Sequence, residues 1–384
     1  MEFVGGNRFS LLVAGVEYFP ELEAAIASAE REIFLEAYIY ADDATGRRIT
    51  AALAAAARRG VAVHVLVDGF GSRLMPPPLR EALRAAGVKL QIFGPDISPL
   101  TLRRRRLRRM HRKLVAVDGR VAFVGGINII DDIDEHSPAQ PRYDYAVQIE
   151  GPLVAEVRAM LARLWRRVSW AHMDVQLRAI PHAPAPCLPC GDMSGALVVR
   201  DNFRHRADIE EAYLGAIKSA HVEILLANAY FLPGRRFRHA LMEAARRGVR
   251  VVLLLQGRAD HPLQHYASLA FYGVLLDAGV EIYEYHKSML HAKVAVIDDR
   301  WVTVGSSNID PFSLLLAREA NIVVEDRRFA ADLRLSLHRG MEEGAIVVPP
   351  VRWRQQPWMR RVRIWAAYAL VRLMMGLAGY GRPH

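Results

Sequence analysis

The chain repeats itself, and this limits its possible folds more than any other feature. Glu32-Ile-Phe-Leu-Glu-Ala-Tyr38 resembles Glu223-Ile-Leu-Leu-Ala-Asn-Ala-Tyr230, and Ala56-Ala-Arg-Arg-Gly-Val61 recurs letter for letter from Ala244 to Val249. Ala86-Gly-Val-Lys-Leu-Gln-Ile-Phe93 resembles Ala278-Gly-Val-Glu-Ile-Tyr-Glu-Tyr285, and His111-Arg-Lys-Leu-Val-Ala-Val-Asp118 matches His291-Ala-Lys-Val-Ala-Val-Ile-Asp298. Four matches in one order mean a duplicated unit. A length of 384 residues holds two units of ordinary domain size. We place the first unit at 1–170, a linker with Pro181, Pro184, Pro186 and Pro189 at 171–195, the second unit at 196–345 and a basic amphipathic tail at 346–384.

Each unit alternates helical and strand-like segments. In the first, the pattern predicts a helix over about Phe19–Glu32, a strand over Ile33–Tyr40 and a helix over about Gly46–Arg59 closed by Gly60. A strand over Val61–Val67, a helix over Pro78–Ala86 and a strand over Val88–Phe93 follow. This rhythm predicts an α/β fold, with a mixed sheet flanked by helices in each half.

The repeat is not uniform. Ala86 recurs 192 positions later at Ala278, but His111 recurs only 180 positions later at His291, so the first half carries 12 extra residues in between. They fall within Gly94–Met110, which contains Arg103, Arg104, Arg105, Arg106, Arg108 and Arg109. The formal net charge of +10 points to an anionic partner. Only five basic residues are lysine, and two of them, Lys113 and Lys293, stand in the repeated motif. Cys187 and Cys190 are the only cysteines; they exclude a disulfide framework and supply half a zinc site at most.

Leu114–Val117 and Val294–Ile297 are apolar, so both motifs lie on buried strands, with His111 and Lys113 on one face and His291 and Lys293 on one face. Asp118 and Asp298 fall at an odd offset, roughly 23 Å further along, and read as anchors of tight turns. The return strands lead to Gly125-Gly-Ile-Asn128 and Gly305-Ser-Ser-Asn308, which brings Asn128 and Asn308 back beside the histidines. Two such sets meeting across a pseudo-twofold give two imidazoles, two ammonium groups and two carboxamides, a pocket suited to a phosphate. Two histidines suit a nucleophile and a general acid. Asp144 and Glu319 open the next strands, where a carboxylate can orient an imidazole.

These residues carry a resemblance. The paired His-x-Lys-x4-Asp motifs, each followed after six residues by Gly-x-x-Asn, resemble the signature of the phospholipase D superfamily over about residues 7–345. Glu32–Tyr38, the segment ending Arg108-Arg-Met-His-Arg-Lys113 and Tyr143-Asp-Tyr-Ala-Val-Gln-Ile-Glu-Gly-Pro152 are similar to the bacterial cardiolipin synthases of the type without N-terminal membrane helices. The resemblance implies two phospholipase D-like α/β/α domains related by a pseudo-twofold, with the active site between them. It implies a catalytic set of His111, Lys113, Asp118, Asn128, His291, Lys293, Asp298 and Asn308, with no metal and no cofactor. The implied reaction joins two phosphatidylglycerols into cardiolipin and glycerol through a phosphatidyl-histidine. By the same resemblance His111 is the nucleophile and His291 the acid and base, although the sequence alone does not break their symmetry. A phosphodiesterase hydrolysing phospholipid or nucleic acid, and a non-catalytic basic binding protein, are the alternatives.

The expected partner is anionic phospholipid at a membrane surface, not nucleic acid. The start of the chain lacks a signal-peptide pattern, and Arg372 interrupts the most apolar stretch, Ile364–Tyr380. The expected location is cytoplasmic, peripheral on the inner face of the cell membrane. The arginines of 103–109 and the Arg-, Trp- and Met-bearing segment 359–375 are the expected membrane contacts.

Overall fold

A computed structural model describes residues 1–73, 75–94, 109–134, 137–171, 180, 182–184, 187–201, 204–259, 261–310 and 317–375. The first half runs β1 (Val4–Val13), α1 (Ala14–Ala27), β2 (Glu32–Ala37), α2 (Ala44–Arg58), β3 (Ala62–Asp68), α3 (Pro77–Ala85), β4 (Lys89–Phe93), β5 (Arg109–Met110), β6 (Lys113–Val117), β7 (Val121–Gly125), β8 (Ile133–Asp134), β9 (Ser137–Pro141), β10 (Tyr145–Glu150) and α4 (Val154–Ala171). The second runs β11 (Met193–Arg200), α5 (Asp208–Ser219), β12 (Glu223–Asn228), α6 (Arg235–Arg246), β13 (Arg250–Gln256), α7 (Pro262–Leu269), α8 (Tyr272–Asp277), β14 (Glu281–Tyr285), β15 (Lys293–Ile297), β16 (Trp301–Gly305), β17 (Ala317–Glu325), α9 (Arg327–Gly344), β18 (Ala345–Val347), α10 (Pro350–Arg354) and α11 (Trp358–Met375).

The expected α/β architecture is present, and the two sheets join into one. Its order is β18-β14-β13-β12-β15-β16-β17-β11-β1-β10-β7-β6-β2-β3-β4, with β5 attached to β17. The junction is the antiparallel pair β1–β11, in which Val4 faces Gly195 and Asn7 faces Met193. Strand β11 therefore begins inside the stretch expected to be linker. Helices α1–α3 cover the outer face of the first half around Leu22, Ile49 and Leu83. Helices α5–α8 do the same in the second around Tyr213, Phe237 and Leu241. A third core holds β-strand residues of both halves, such as Val124, Tyr145, Val294 and Ile322, under Trp165 of α4 and Leu333 of α9.

Helix α1 sits about five residues earlier than its pattern predicts, for two local reasons. Ala14 turns with φ of 59°, and Gly15 N–H donates to Asp132 at 2.6 Å, so the helix starts there. At its other end Glu30, Arg31 and Glu32 N–H donate to Asp118 at 2.8, 2.8 and 2.9 Å, which hands the chain directly to β2. In the second half His221, Val222 and Glu223 N–H donate to Asp298 at 3.0, 2.8 and 3.0 Å. Asp118 and Asp298 are both left-handed turn residues, with φ of 52° and 51°. Each carboxylate thus fastens a hairpin turn to the start of the neighbouring strand.

The segment Cys187–Cys190 lies along the edge of β1, where Cys190 N–H donates to Gly6 carbonyl at 3.0 Å; both thiols are free. Residues 103–106 and 108 of the arginine insertion lie outside the described residues. Arg109 is half-buried, with its guanidinium 5.3 Å from the Phe70 ring centre.

One buried ion pair tests how the halves have diverged. Arg112 and Glu36 meet at 2.7 Å, with side chains 5% and 3% exposed. By the register of the repeat, their counterparts are Ala292 and Ala227, both buried methyl groups. Removing one partner of a buried pair strands the other charge and costs about 3–5 kcal/mol, while replacing both can be neutral. Glu36→Ala is expected to lower stability to that extent, and Glu36→Ala with Arg112→Ala to recover much of it, as read by urea unfolding. Additive losses in the double variant would contradict this account.

Candidate active site

The centre forms where the halves exchange strand ends. Arg109 and Met110 run parallel to Ala317 and Arg318, and His111 N–H donates to Arg318 carbonyl at 3.0 Å. Symmetrically, Tyr143 bridges to Leu290, and His291 N–H donates to Tyr143 carbonyl at 2.8 Å. The residue after each acceptor is a carboxylate. His111 Nδ1 therefore meets Glu319 Oε1 at 3.0 Å, and His291 Nδ1 meets Asp144 Oδ2 at 2.5 Å. Each imidazole is oriented by the opposite half. A carboxylate only accepts, so both Nδ1 atoms carry hydrogen, and the free lone pair of each neutral ring is on Nε2.

The lysines lie beneath. Lys113 Nζ donates to His111 carbonyl at 2.7 Å, and Lys293 Nζ donates to His291 carbonyl and lies 3.6 Å from Asp144. Both lysines are buried, whereas the His111 and His291 side chains are 15% and 17% exposed. Burial pushes Lys113 down to about 7, against the pull of Glu319. Burial also lowers His111 despite Glu319, and lowers His291 to about 4 with help from Lys293. Burial acts to raise Asp144, but Lys293 and His291 outweigh it and hold the carboxyl below its usual range. Both shifts favour the neutral imidazoles. A phosphodiester anion entering the centre favours protonation of an imidazole and of Lys113.

Of the residues expected to meet, His111, Lys113, His291, Lys293, Asp144 and Glu319 do so. Lys293 acts electrostatically on His111 and Lys113 on His291, across the two halves. Asn128 and Asn308 are buried just beyond Gly125 and Gly305, and Gly125 pairs with Lys113. Asn128 accepts from Ile39 N–H at 3.1 Å, while Asn308 Oδ1 is buried with no hydrogen-bond partner among the described residues. Asp118 and Asp298 are not brought to this cluster; they lie at the far ends of β6 and β15, in the turns described above.

Four further contributors were not read from the sequence. Ser306 Oγ donates to Glu319 Oε2 at 2.6 Å, whereas a Cβ at the equivalent Gly126 would collide with the Asp144 carboxylate. The signal was available in the paired differences Gly126/Ser306 and Asp144/Glu319. Asp68 Oδ2 accepts Met110 N–H at 2.9 Å, and Gln256 Oε1 accepts Leu290 N–H at 3.2 Å, so each fixes the residue before a histidine. The Tyr38 ring stands edge-on to His111 with centres 4.6 Å apart, and 5.2 Å from Lys113 Nζ.

The arrangement can hold one phosphate between two imidazoles with ammonium groups at hand, which is the equipment for nucleophilic displacement with proton transfer.

Comparisons with known proteins agree with this fold. Residues 22–165 and 213–339 match the family described as cardiolipin synthase, PLD-like domain. The chain is 38% identical over 390 residues to cardiolipin synthase B of Escherichia coli K12, covering 99% of this chain and 91% of that protein. It is 31% identical to the major cardiolipin synthase ClsA of Bacillus subtilis, covering 86% of this chain and 68% of that one. Among solved structures, phosphatidylserine synthase of Haemophilus influenzae Rd KW20 superposes with a TM-score of 0.69 at 12% identity, covering 96% and 94% of the two chains. That likeness establishes the fold.

The depressed imidazoles make stability depend on pH. The unfolded chain protonates a histidine near pH 6.5, while the folded chain resists protonating His291 until about pH 4. The unfolded state therefore binds the extra proton between these values, and stability falls as pH drops through that window. The loss between pH 7 and 5 is expected to be on the order of 1–2 kcal/mol for this group. His291→Gln should show a smaller loss in urea titrations at the two pH values; an equal loss removes His291 as the cause.

Proposed function

Because the chain belongs to the cardiolipin synthase family of phospholipase D-like proteins, and is a phosphatidyltransferase of that type, we propose that it joins two phosphatidylglycerols into cardiolipin with release of glycerol. The observation that carries the reading is the crossed pairing of His111 with Glu319 and His291 with Asp144, which leaves two Nε2 atoms for chemistry on one phosphorus. It agrees with the activity named for relatives 38% identical over nearly the whole chain.

In this mechanism His111 Nε2 attacks the phosphorus of the first lipid. The bond to the glycerol oxygen breaks as His291, protonated at Nε2 once the lipid anion is bound, gives that oxygen a proton. The hydroxyl of the second lipid then loses its proton to His291 and attacks the phosphatidyl-histidine, and His111 leaves with its electron pair. Glu319 and Asp144 stabilise whichever imidazole is cationic. Lys113, Lys293, Asn128 and Asn308 serve the phosphoryl oxygens, and Asp118 and Asp298 hold the strands that present the lysines. The units 1–170 and 196–345 each supply half of this machinery.

The membrane is read as the second partner. No described helix is long and apolar enough to cross a bilayer. Helix α11 buries Ile364 and Val371 and sets Tyr368 edge-on to Phe271 with ring centres 5.1 Å apart, but exposes Trp358, Met359, Trp365, Leu373 and Met374 beside Arg361 and Arg363. Such a face suits the interface of an anionic bilayer. With the arginines of 103–109, it supports peripheral attachment at the inner face of the cell membrane.

His111→Ala and His291→Ala are each expected to abolish turnover of labelled phosphatidylglycerol on vesicles. A phosphatidyl-enzyme should be trapped in the His291 variant only; trapping in the His111 variant only would exchange the two roles. Phosphatidic acid as the sole product of the unaltered protein would replace the synthase reading with a hydrolase. Lys113→Arg should lose activity about a hundredfold or more, since a planar guanidinium cannot take the place of a buried compact ammonium. Arg361→Gln with Arg363→Gln should weaken vesicle binding by about 1 kcal/mol per charge, more at low salt than at high. Equal losses on a short-chain soluble phosphatidylglycerol would argue against surface docking.

A further inference from the structure

The two lysines of the centre are held by different means. Each ammonium donates to the main-chain carbonyl of its own histidine. Beyond that the halves part. Lys293 Nζ lies 3.6 Å from the Asp144 carboxylate. Burial acts to raise Asp144, and Lys293 leads the groups that outweigh it, so this ammonium is committed to that carboxylate. Lys113 makes no ion pair among the described residues, and its Nζ stands over the face of the Tyr38 ring, 5.2 Å from the centre. That is within the range at which the negative face of an aromatic ring attracts a cation.

Strand register places this difference in the sequence. Ile33 pairs with Val117 and Ile224 with Ile297, so Tyr38 corresponds to Ala229, a buried methyl group in place of the ring. The Tyr38 ring is clamped by the turn after β3. Asp68 accepts Phe70 and Gly71 N–H at 2.9 and 3.1 Å, and Ser72 Oγ donates to Tyr38 carbonyl at 2.9 Å and accepts Tyr40 N–H at 3.0 Å. A Cβ at Gly71 would stand 2.8 Å from the ring and collide with the Tyr38 carbonyl, so glycine lets the turn close on it. The ring is also edge-on to His111, with centres 4.6 Å apart. Burial, and after it Asp68, push the phenol up to about 12, so the ring meets Lys113 as a neutral π face and not as a phenolate.

We infer that Tyr38 is a positioning residue that makes Lys113 the ammonium meeting the phosphate charge, while Lys293 stays with Asp144. The inference rests on the reading above that the phosphate lies between the two histidines. Lys113 depends on the ring because its other surroundings leave its charge in balance. Burial opposes the ammonium most, Glu319, Asp144 and Asp68 favour it, Lys293 opposes it, and the outcome is about 7. Around the ring itself stand Asp68, Arg109, Glu319 and Arg73. The π face favours the ammonium without neutralising it, so the charge is still unmatched when the anion arrives. A carboxylate in the same place would take that charge, as Asp144 does for Lys293. The ring thus serves the phosphoryl oxygens and leaves proton transfer to the histidines.

The test uses the full chain and a p-nitrophenyl phosphatidyl ester. Its leaving group needs no proton, so the general acid does not shape the alkaline limb of kcat/KM, which then reports loss of charge from Lys113 in the unliganded protein. Removing a group that favours the ammonium lowers the pH at which that charge is lost. Tyr38→Phe keeps the ring and should leave the limb in place. Tyr38→Leu keeps apolar bulk without a π face, and should move the limb about one pH unit lower, a fall of about tenfold in kcat/KM on the alkaline side. Phenylalanines of rising ring fluorination at position 38 hold the shape and weaken the negative face step by step, and the limb should move lower with each step. This series reads the π face even where Tyr38→Leu fails to fold. A limb that stays fixed through the series, or one that moves as far in Tyr38→Phe as in Tyr38→Leu, overturns the inference. Release of p-nitrophenol is read whether lipid or water takes the phosphatidyl group, so phosphatidic acid as the final product would overturn the synthase reading and leave this one standing.

Discussion

Everything in the centre depends on one exchange, in which each histidine takes its carboxylate and its main-chain partner from the other half. Glu319 and Asp144 reach His111 and His291 only because β5 lies against β17 and Leu290 lies against Tyr143. That juxtaposition requires the two sheets to be held in fixed register, which the antiparallel pair β1–β11 and the shared core under α4 and α9 provide. The turn carboxylates Asp118 and Asp298 act one strand further out, fixing where β2 and β12 begin and hence where the lysine strands lie. Positioning therefore passes from hairpin turn to strand to imidazole without a flexible step.

The electrostatics follow from burying so many ionisable groups around an empty space. Burial opposes charge on the imidazoles and on Lys113, while the carboxylates oppose that effect but do not cancel it. An anion bound there would favour the charged forms that burial opposes.

Much of this was legible in the sequence, and the reasons for the remainder are physical. The motifs, their strands, the hairpins and the gathering of His111, Lys113, His291 and Lys293 follow from period-two patterning and from duplication, which are local or self-referential signals. The crossing of partners was not legible. Asp144 and Glu319 were placed at strand starts, but nothing in a strand's own pattern says which histidine it faces when the partner is 147 or 208 positions away. Strands β1 and β11 escaped notice because their partners are remote in sequence, β10 for β1 and β17 for β11. Tyr38 was matched with Tyr230 by residue type, whereas the hydrogen-bond register sets it against Ala229, and this one-residue slip concealed the asymmetry of the two sides. Helix α1 was set too late because the Asp118 carboxylate, far along the chain, claims the amides that local propensity would assign to a helix.

The β1–β11 junction has a consequence for how the protein comes apart. The strongest connections within each half are sequential strands and covering helices, while the halves meet through one strand pair, two short parallel bridges and a common core. The natural fracture plane therefore runs straight through the catalytic pairs. Opening along it by a few ångströms would separate both histidines from their carboxylates at once and expose the core that the two halves share.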